Sequence, residues 1–200
     1  MDSDKRTLIK EVAKRLISKK GAKLTTLAEI AKAVGISKGT LFYYYPSKDE
    51  ILFEVLDDCF AQYTSMFFSF LKEVKNVPSV APSQVFRLLL ELFACDQPLA
   101  SLNLLLLHEA LSRNQNLLER FRQKYEEWRE LIAIGLGELY YPRPELGNNG
   151  FTLASVILAL IDGFSIQYLI DEGRVQPERI GQVLELAVRG VIEEGNGMGS

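Results

Sequence analysis

Cysteine and histidine are scarce in this 200-residue chain, and each scarcity closes off a class of chemistry. The two cysteines, Cys59 and Cys95, form no CxxC pair, and His108 is the single histidine, so a multi-ligand Cys/His zinc site cannot be assembled. No metal site and no cofactor are expected, and reduced thiols in a cytoplasmic protein are the default reading. A Cys/His nucleophile lacks an Asp or Asn orienter and a strand-turn-helix setting, so no catalytic residue is assigned and the chain is not read as an enzyme. The opening MDSDKRTLIKEVAKRL interrupts its apolar residues with a charge every two or three positions, which leaves no hydrophobic region for a secretory signal. Period-two alternation bounded by hairpin turns is absent, as are internal repeats and low-complexity segments.

Long hydrophobic runs are also few. Phe151 to Ile170, FTLASVILALIDGFSIQYLI, is twenty residues with one charge, Asp162, near its middle. A charge there costs about 2.5 to 3.5 kcal/mol on membrane-insertion scales. With no second such segment and no basic flank, it reads as a helix buried in protein, and no membrane partner is expected.

What the chain does have is 48% apolar and 24% charged residues, enough for a globular core and against disorder. Its net charge of -3 conceals a division. Residues 1–48 carry eleven Lys/Arg against four Asp/Glu, whereas residues 49–200 carry twelve against twenty-two. A basic head on an acidic body suits an anionic partner such as nucleic acid at the head and another task for the body.

The periodicity predicts an all-α chain of about nine helices. The first places Leu8, Ile9, Val12, Ala13, Leu16 and Ile17 on one stripe, with Ser3 or Asp4 as cap and Gly21 as stop. Thr26-Leu-Ala-Glu29 is a capping box opening a short second helix that ends at Gly35, which suits a left-handed turn. Ser37 caps a third, Lys38 to Tyr45, stopped by Pro46. Ser47-Lys-Asp-Glu50 opens a fourth, carrying Ile51, Leu52, Val55, Leu56, Cys59, Phe60, Tyr63, Phe67 and Leu71 along one side. Beyond a break at Pro78 to Pro82, helices are expected over 83–95, 98–113, 115–140, 150–172 and 176–194. Pro98 suits a first turn, Asn114 a cap, YYPRPELGNNG a loop and Gly173 a C-terminal cap. The domains are then 1–47 for the head, 48–195 for the body and a frayed tail at 196–200.

Residues 26–45, TLAEIAKAVGISKGTLFYYY, have the spacing of a helix-turn-helix. Ala31, Val34, Ile36 and Leu41 are apolar where the two helices must pack. Ser37, Lys38, Thr40, Tyr43 and Tyr44 face outward with groups that reach base edges or phosphates, and Gly39 leaves room for close backbone approach. Thr25 and Thr26 at the start of the motif and Lys48 on the first turn of the fourth helix are placed as further DNA contacts. The longer string TTLAEIAKAVGISKGTLFYYYPSKDEIL closely resembles the DNA-binding region of TetR-type transcriptional regulators, over about residues 5–60.

That resemblance implies three DNA-binding helices followed by a variable helical body for ligand binding and dimerisation. It implies a homodimer on a roughly palindromic double-stranded operator, with half-sites about 34 to 36 Å apart. It assigns helices 150–172 and 176–194 to a four-helix dimer interface, a use for the near-membranous segment. Two positions depart from the family pattern. Phe42 stands where a tyrosine usually reaches a phosphate, and Tyr45 stands where phenylalanine is usual, so its hydroxyl must find a partner.

The body says less. Its seventh helix repeats Leu117, Phe121, Tyr125, Trp128, Ile132, Leu136 and Leu139 at steps of three and four, the spacing of a core stripe. The family places an effector cavity beside the fourth helix, which makes Tyr63, Phe67, Phe93, His108, Tyr125, Trp128, Phe164 and Tyr168 the candidate ligand contacts. The reading is a ligand-responsive repressor released by a small apolar or amphipathic molecule of unknown identity. The alternative is a regulator whose body binds a protein partner or senses thiol oxidation instead.

Overall fold

A computed structural model describes residues 2–75, 81–112, 114–140 and 147–186. Among them the chain is helical throughout, with no strand. The helices are α1 (Asp2–Lys20), α2 (Leu27–Val34), α3 (Lys38–Tyr44), α4 (Lys48–Lys75), α5 (Pro82–Phe93), α6 (Gln97–Ser112), α7 (Gln115–Tyr140), α8 (Gly147–Ile170) and α9 (177–186). Nine helices among the described residues match the all-α expectation. The expected Pro78 break, most of the YYPRPELGNNG loop, the last turns of the ninth helix, the side chain of Leu139 and the 196–200 tail lie outside the described residues.

Local chemistry explains most boundaries. The N–H of Leu117 donates to Asn114 Oδ1 at 2.9 Å, as a cap should, and that of Leu99 donates to Asp96 Oδ1 at 3.1 Å, so Pro98 falls in the first turn of α6. Two expectations give way. α1 begins at Asp2, so Ser3 and Asp4 are within the helix and neither caps it. Gly173 is not the end-cap of α8, because that helix stops at Ile170 and Gly173 falls inside a 3-10 turn, Glu172–Arg174. Positive φ among the described glycines is confined to Gly21 and Gly35.

The chain divides into two compact units. The first comprises residues 1–63 and 101–128, so it joins α1 to α3 with the N-terminal half of α4, most of α6 and the N-terminal half of α7. Its core takes Ile9, Val12, Ala13 and Ile17 from α1, Ile30, Ala31 and Leu41 from the motif, and Ile51, Leu52, Val55, Leu56 and Cys59 from α4. Leu8, counted in the α1 stripe, is half exposed. Four carboxylates of α4 reach outward: Glu54 and Asp58 pair with Arg6 and Lys10 of α1, Asp57 takes Arg120 and Lys124 of α7, and Asp49 accepts from Asn114 and Asn116.

The second unit, residues 64–100 and 129–200, contains the remainder of α4, α6 and α7 with α5, α8 and α9. Here Phe67, Phe70, Leu71, Phe86, Leu90, Phe93, Ile132 and Leu136 are buried. Gly181 of α9 lies so close to α5 that a Cβ would stand 2.4 Å from the Ser83 carbonyl oxygen, and the adjacent Ser83 N–H donates to Glu185 at 2.9 Å. α8 corrects the reading of a helix buried in protein. It is long and apolar enough to cross a membrane, yet only 22% of its apolar window is buried within the chain.

Candidate nucleic-acid interface

The motif is assembled by caps and one turn. Thr26 and Glu29 make the reciprocal capping box, with the Glu29 N–H on Thr26 Oγ1 and the Thr26 N–H on Glu29 Oε2 at 3.0 Å. Gly35 ends α2 at φ 77° and ψ 32°, a left-handed conformation open to glycine at no steric cost, and the chain reverses there. Ser37 Oγ then accepts from the Thr40 N–H at 3.0 Å and starts α3. Leu41, fully buried, pins the underside of α3, while Val34 and Ile36 are half-buried in the turn.

Pinning that side leaves a defined outer surface. Ser37, Lys38, Gly39, Phe42 and Tyr43 are exposed, and Thr40 and Tyr44 half-buried. Tyr43 and Tyr44 meet edge to face at 5.2 Å, which stiffens the pair. A Cβ on Gly39 would meet nothing closer than Ser37 Oγ at 3.8 Å, so the protein's own packing does not require glycine and the backbone stays open to an approaching ligand. The hydroxyls of Ser37 and Thr40 lie 2.8 Å apart, and the one that accepts keeps its proton for an outside acceptor. Phe42 was not among the sequence candidates. Its exposed ring has no donor for a phosphate, but offers apolar surface of the kind that meets a thymine methyl.

Three positions stand differently from expectation. Thr25 is buried and its hydroxyl donates to the Gly21 carbonyl at 2.9 Å, so its side chain closes the α1–α2 turn and does not face outward. Lys48 donates to the Ala22 carbonyl at 2.5 Å, tying the start of α4 to the turn between α1 and α2; an ammonium keeps two further protons. Thr26 is exposed but committed to its capping box. Of the basic residues, Arg6, Lys10 and Lys20 are paired with Glu54, Asp58 and Glu29, while Lys19, Lys23, Lys32 and Lys38 are exposed. Hydrogen bonds from Lys20 and Thr26 hold the Glu29 carboxyl well below its usual range, at about 2.

Tyr45, the residue after α3, is fully buried, and its hydroxyl has the partner it needs. It donates to Glu54 Oε2 at 2.5 Å and lies 3.3 Å from the Arg6 carbonyl oxygen. The Arg6 guanidinium sits over the Tyr45 ring at 4.7 Å and donates to Glu54 Oε1 through Nε at 2.7 Å. Burial and the Glu54 carboxylate both push the Tyr45 hydroxyl far above its ordinary value, so it remains a donor.

The eight ligand candidates are divided between the units. In the first, Tyr63, Tyr125 and Trp128 gather with Phe60 and Phe121, and Phe60 lies 6.2 to 6.5 Å from each of the other four rings. These rings fill one another's space as a packed cluster. His108 of the same unit is exposed, outside that interior, because it falls off the Leu102, Leu106 and Ala110 face of α6. In the second unit Phe67 and Phe93 are buried 6.4 Å apart, Phe164 is half-buried, and the Tyr168 hydroxyl donates to Glu172 at 2.9 Å. That unit also holds a groove of about 540 Å³ that sequence reasoning missed, with Met66, Phe70, Val74, Leu88 and Leu92 as its apolar wall and Arg87 among its polar groups. No periodic signal distinguishes groove from core. A second cleft, of about 830 Å³, lies in the first unit, with Lys23, Asp49, Glu109 and Asn114 among its lining residues.

Two short helices packed through Leu41, a left-handed turn between them and an outer face of hydroxyl, ammonium and phenol groups define a helix-turn-helix. Residues 9–55 match the model described as bacterial regulatory proteins, tetR family. That match takes in the helix-turn-helix and its flanking helices, 47 of the 200 residues. The HTH-type transcriptional repressor KstR2 of Rhodococcus jostii is 40% identical over 65 residues, 30% of this chain, and the match spans about a third (32%) of that relative's length. Over nearly the whole length the likeness is one of fold. A Mesorhizobium loti structure described as a candidate TetR-family regulator superposes with a TM-score of 0.73 at 19% identity, covering 95% of this chain and 96% of its own. A crystal structure from Saccharomonospora viridis, in complex with choline, gives 0.68 at 25% identity over 94% and 96%.

Proposed function

We propose that the chain is a cytoplasmic transcriptional regulator that binds a roughly palindromic operator as a homodimer and is released by a small apolar or amphipathic molecule, acting as a repressor. The observation that carries the DNA-binding half is the outer face of α3, where Lys38, Thr40, Tyr43 and Tyr44 surround the open backbone of Gly39. Ser37 to Thr40 would meet base edges and phosphates, with Lys48 as a phosphate contact beside its bond to Ala22.

The exposed apolar residues of α8 and α9 support the dimer. Phe151, Val156, Ile166 and Ile170 of α8 and Val183 and Leu186 of α9 are between 38% and 79% exposed, and apolar surface of this kind is expected to be covered by a second copy. Small-ligand control rests on the groove in the second unit, whose size falls in the range of ligand sites, and on the choline complex of the Saccharomonospora viridis relative. Because α4 runs through both compact units, a shift in its tilt is the simplest way for an effector to change the fit of two heads to two half-sites. A protein partner in place of a small molecule draws some support from the filled aromatic cluster of the first unit.

Thiol sensing has the least physical support. Burial pushes the Cys59 thiol up to about 12, and burial with Glu91 and Glu172 also raises Cys95, so neither is a ready thiolate. Native mass spectrometry of the purified protein tests the effector reading. A dimer mass carrying a small molecule supports it, whereas a dimer with nothing bound that also retains DNA in the presence of screened ligands counts against it.

A further inference from the structure

We infer that Tyr45 is a positioning residue for base reading, fixing the recognition helix α3 against α4 through its hydrogen bond to Glu54. The inference rests on the DNA-binding reading and deepens it. Tyr45 is the first residue past α3, extended at φ -137° and ψ 95°, and its N–H still donates to Leu41 at 2.9 Å, so any movement of its ring is passed to the last turn of α3. The ring is fully buried and covered by the Arg6 guanidinium. Its hydroxyl is held by Glu54, and Glu54 is held in turn by Arg6 of α1. Three helices therefore meet at one phenol, one carboxylate and one guanidinium.

The apolar contacts of Leu41 fix how deep α3 sits but have little directional preference. A hydrogen bond to a charged acceptor is directional, and at this place it sets the angle of α3 about its Leu41 contact. Glu54 is well placed to pass on a movement of α4. One helical turn further along, Asp58 accepts from Lys10, and Asp57 on the opposite flank holds Arg120 of α7 at 2.5 Å. The phenol thus links the reading surface to a helix braced by ion pairs on both sides.

The test compares the full-length wild type with Tyr45→Phe and Glu54→Gln on a duplex selected from a random pool by the wild-type protein, and on a scrambled duplex of equal length. Tyr45→Phe keeps the ring and removes only the hydroxyl. The expected result is a loss of about tenfold in the ratio of selected to scrambled affinity, the worth of one hydrogen bond to a charged group, with affinity for the scrambled duplex unchanged. Glu54→Gln should lower the same ratio. Both ratios are measured well below the melting temperature of each variant, so a purely structural role would leave them unmoved. An unchanged ratio in Tyr45→Phe overturns the positioning role. Failure of the wild type to select any duplex would instead overturn the DNA-binding reading on which it stands.

Discussion

Two helices of this chain, α3 and α8, leave large side chains in solvent, and they leave different kinds. On α3 the exposed groups are Lys38, Phe42 and Tyr43, with Thr40 and Tyr44 partly open, a mixture of charge, hydroxyl and ring. On α8 the large exposed groups are mainly hydrocarbon, Phe151, Val156, Ile166 and Ile170, with Gln167 the large polar side chain among them. The first surface matches a polyanion carrying patterned base edges, and the second matches only another apolar surface. Exposure alone does not mark function; the chemistry of what is exposed selects the partner.

The largest effect should come from breaking the aliphatic face. Val156→Glu with Ile166→Glu places four like charges in a two-fold seam, and sedimentation should report a monomer. Losing the second head should weaken binding to a palindromic duplex by about 100-fold, the scale of lost avidity. A dimer that survives both substitutions would place the seam elsewhere.

The polar face is sharpened by splitting its roles. Thr40→Ala should alter base preference at one position by about tenfold, whereas Lys38→Ala should weaken every duplex alike and reduce the slope of log affinity against log salt by about one. Lys48 separates packing from contact. Lys48→Ala should lower the melting temperature, because the Ala22 carbonyl loses its donor, and should also reduce the salt slope by about one. A lowered melting temperature with an unchanged slope would leave it a purely structural residue.

The smallest effect concerns the brace behind α3. Glu29 titrates at about 2 in the folded chain, below its ordinary value near 4.5, so its contribution is fully present above about pH 4.5 and is lost as the pH falls toward 2. Glu29→Ala should therefore melt a few degrees below wild type at pH 7, and the difference should narrow steadily as the pH falls from about 4.5 toward 2. A pH-independent difference would assign the loss to side-chain packing.

The motif was legible because its signals are short-range. Thr26 with Glu29, Gly35 and Ser37 are caps and a turn that act within three or four residues, and each adopts the geometry its type implies. Tyr45 was legible only as a need for a partner, because Glu54 and Arg6 are brought to it by packing of separate helices. Thr25 was misplaced for the same reason, since hydroxyl chemistry suits either a phosphate or the Gly21 carbonyl, and the fold decides. The body was legible as apolar stripes, but a stripe such as Phe121 and Trp128 reads the same whether it closes a core or lines a cavity.

The central claim is that α3 reads DNA in two copies. Full-length protein equilibrated with random duplexes, followed by sequencing of the retained pool and measurement of the mass of the complex, tests it most directly. The expected result is enrichment of a sequence with approximate two-fold symmetry, half-sites one helical turn apart and two protomers on each duplex. Retention of the input pool without enrichment, or one protomer on an asymmetric site, would contradict it.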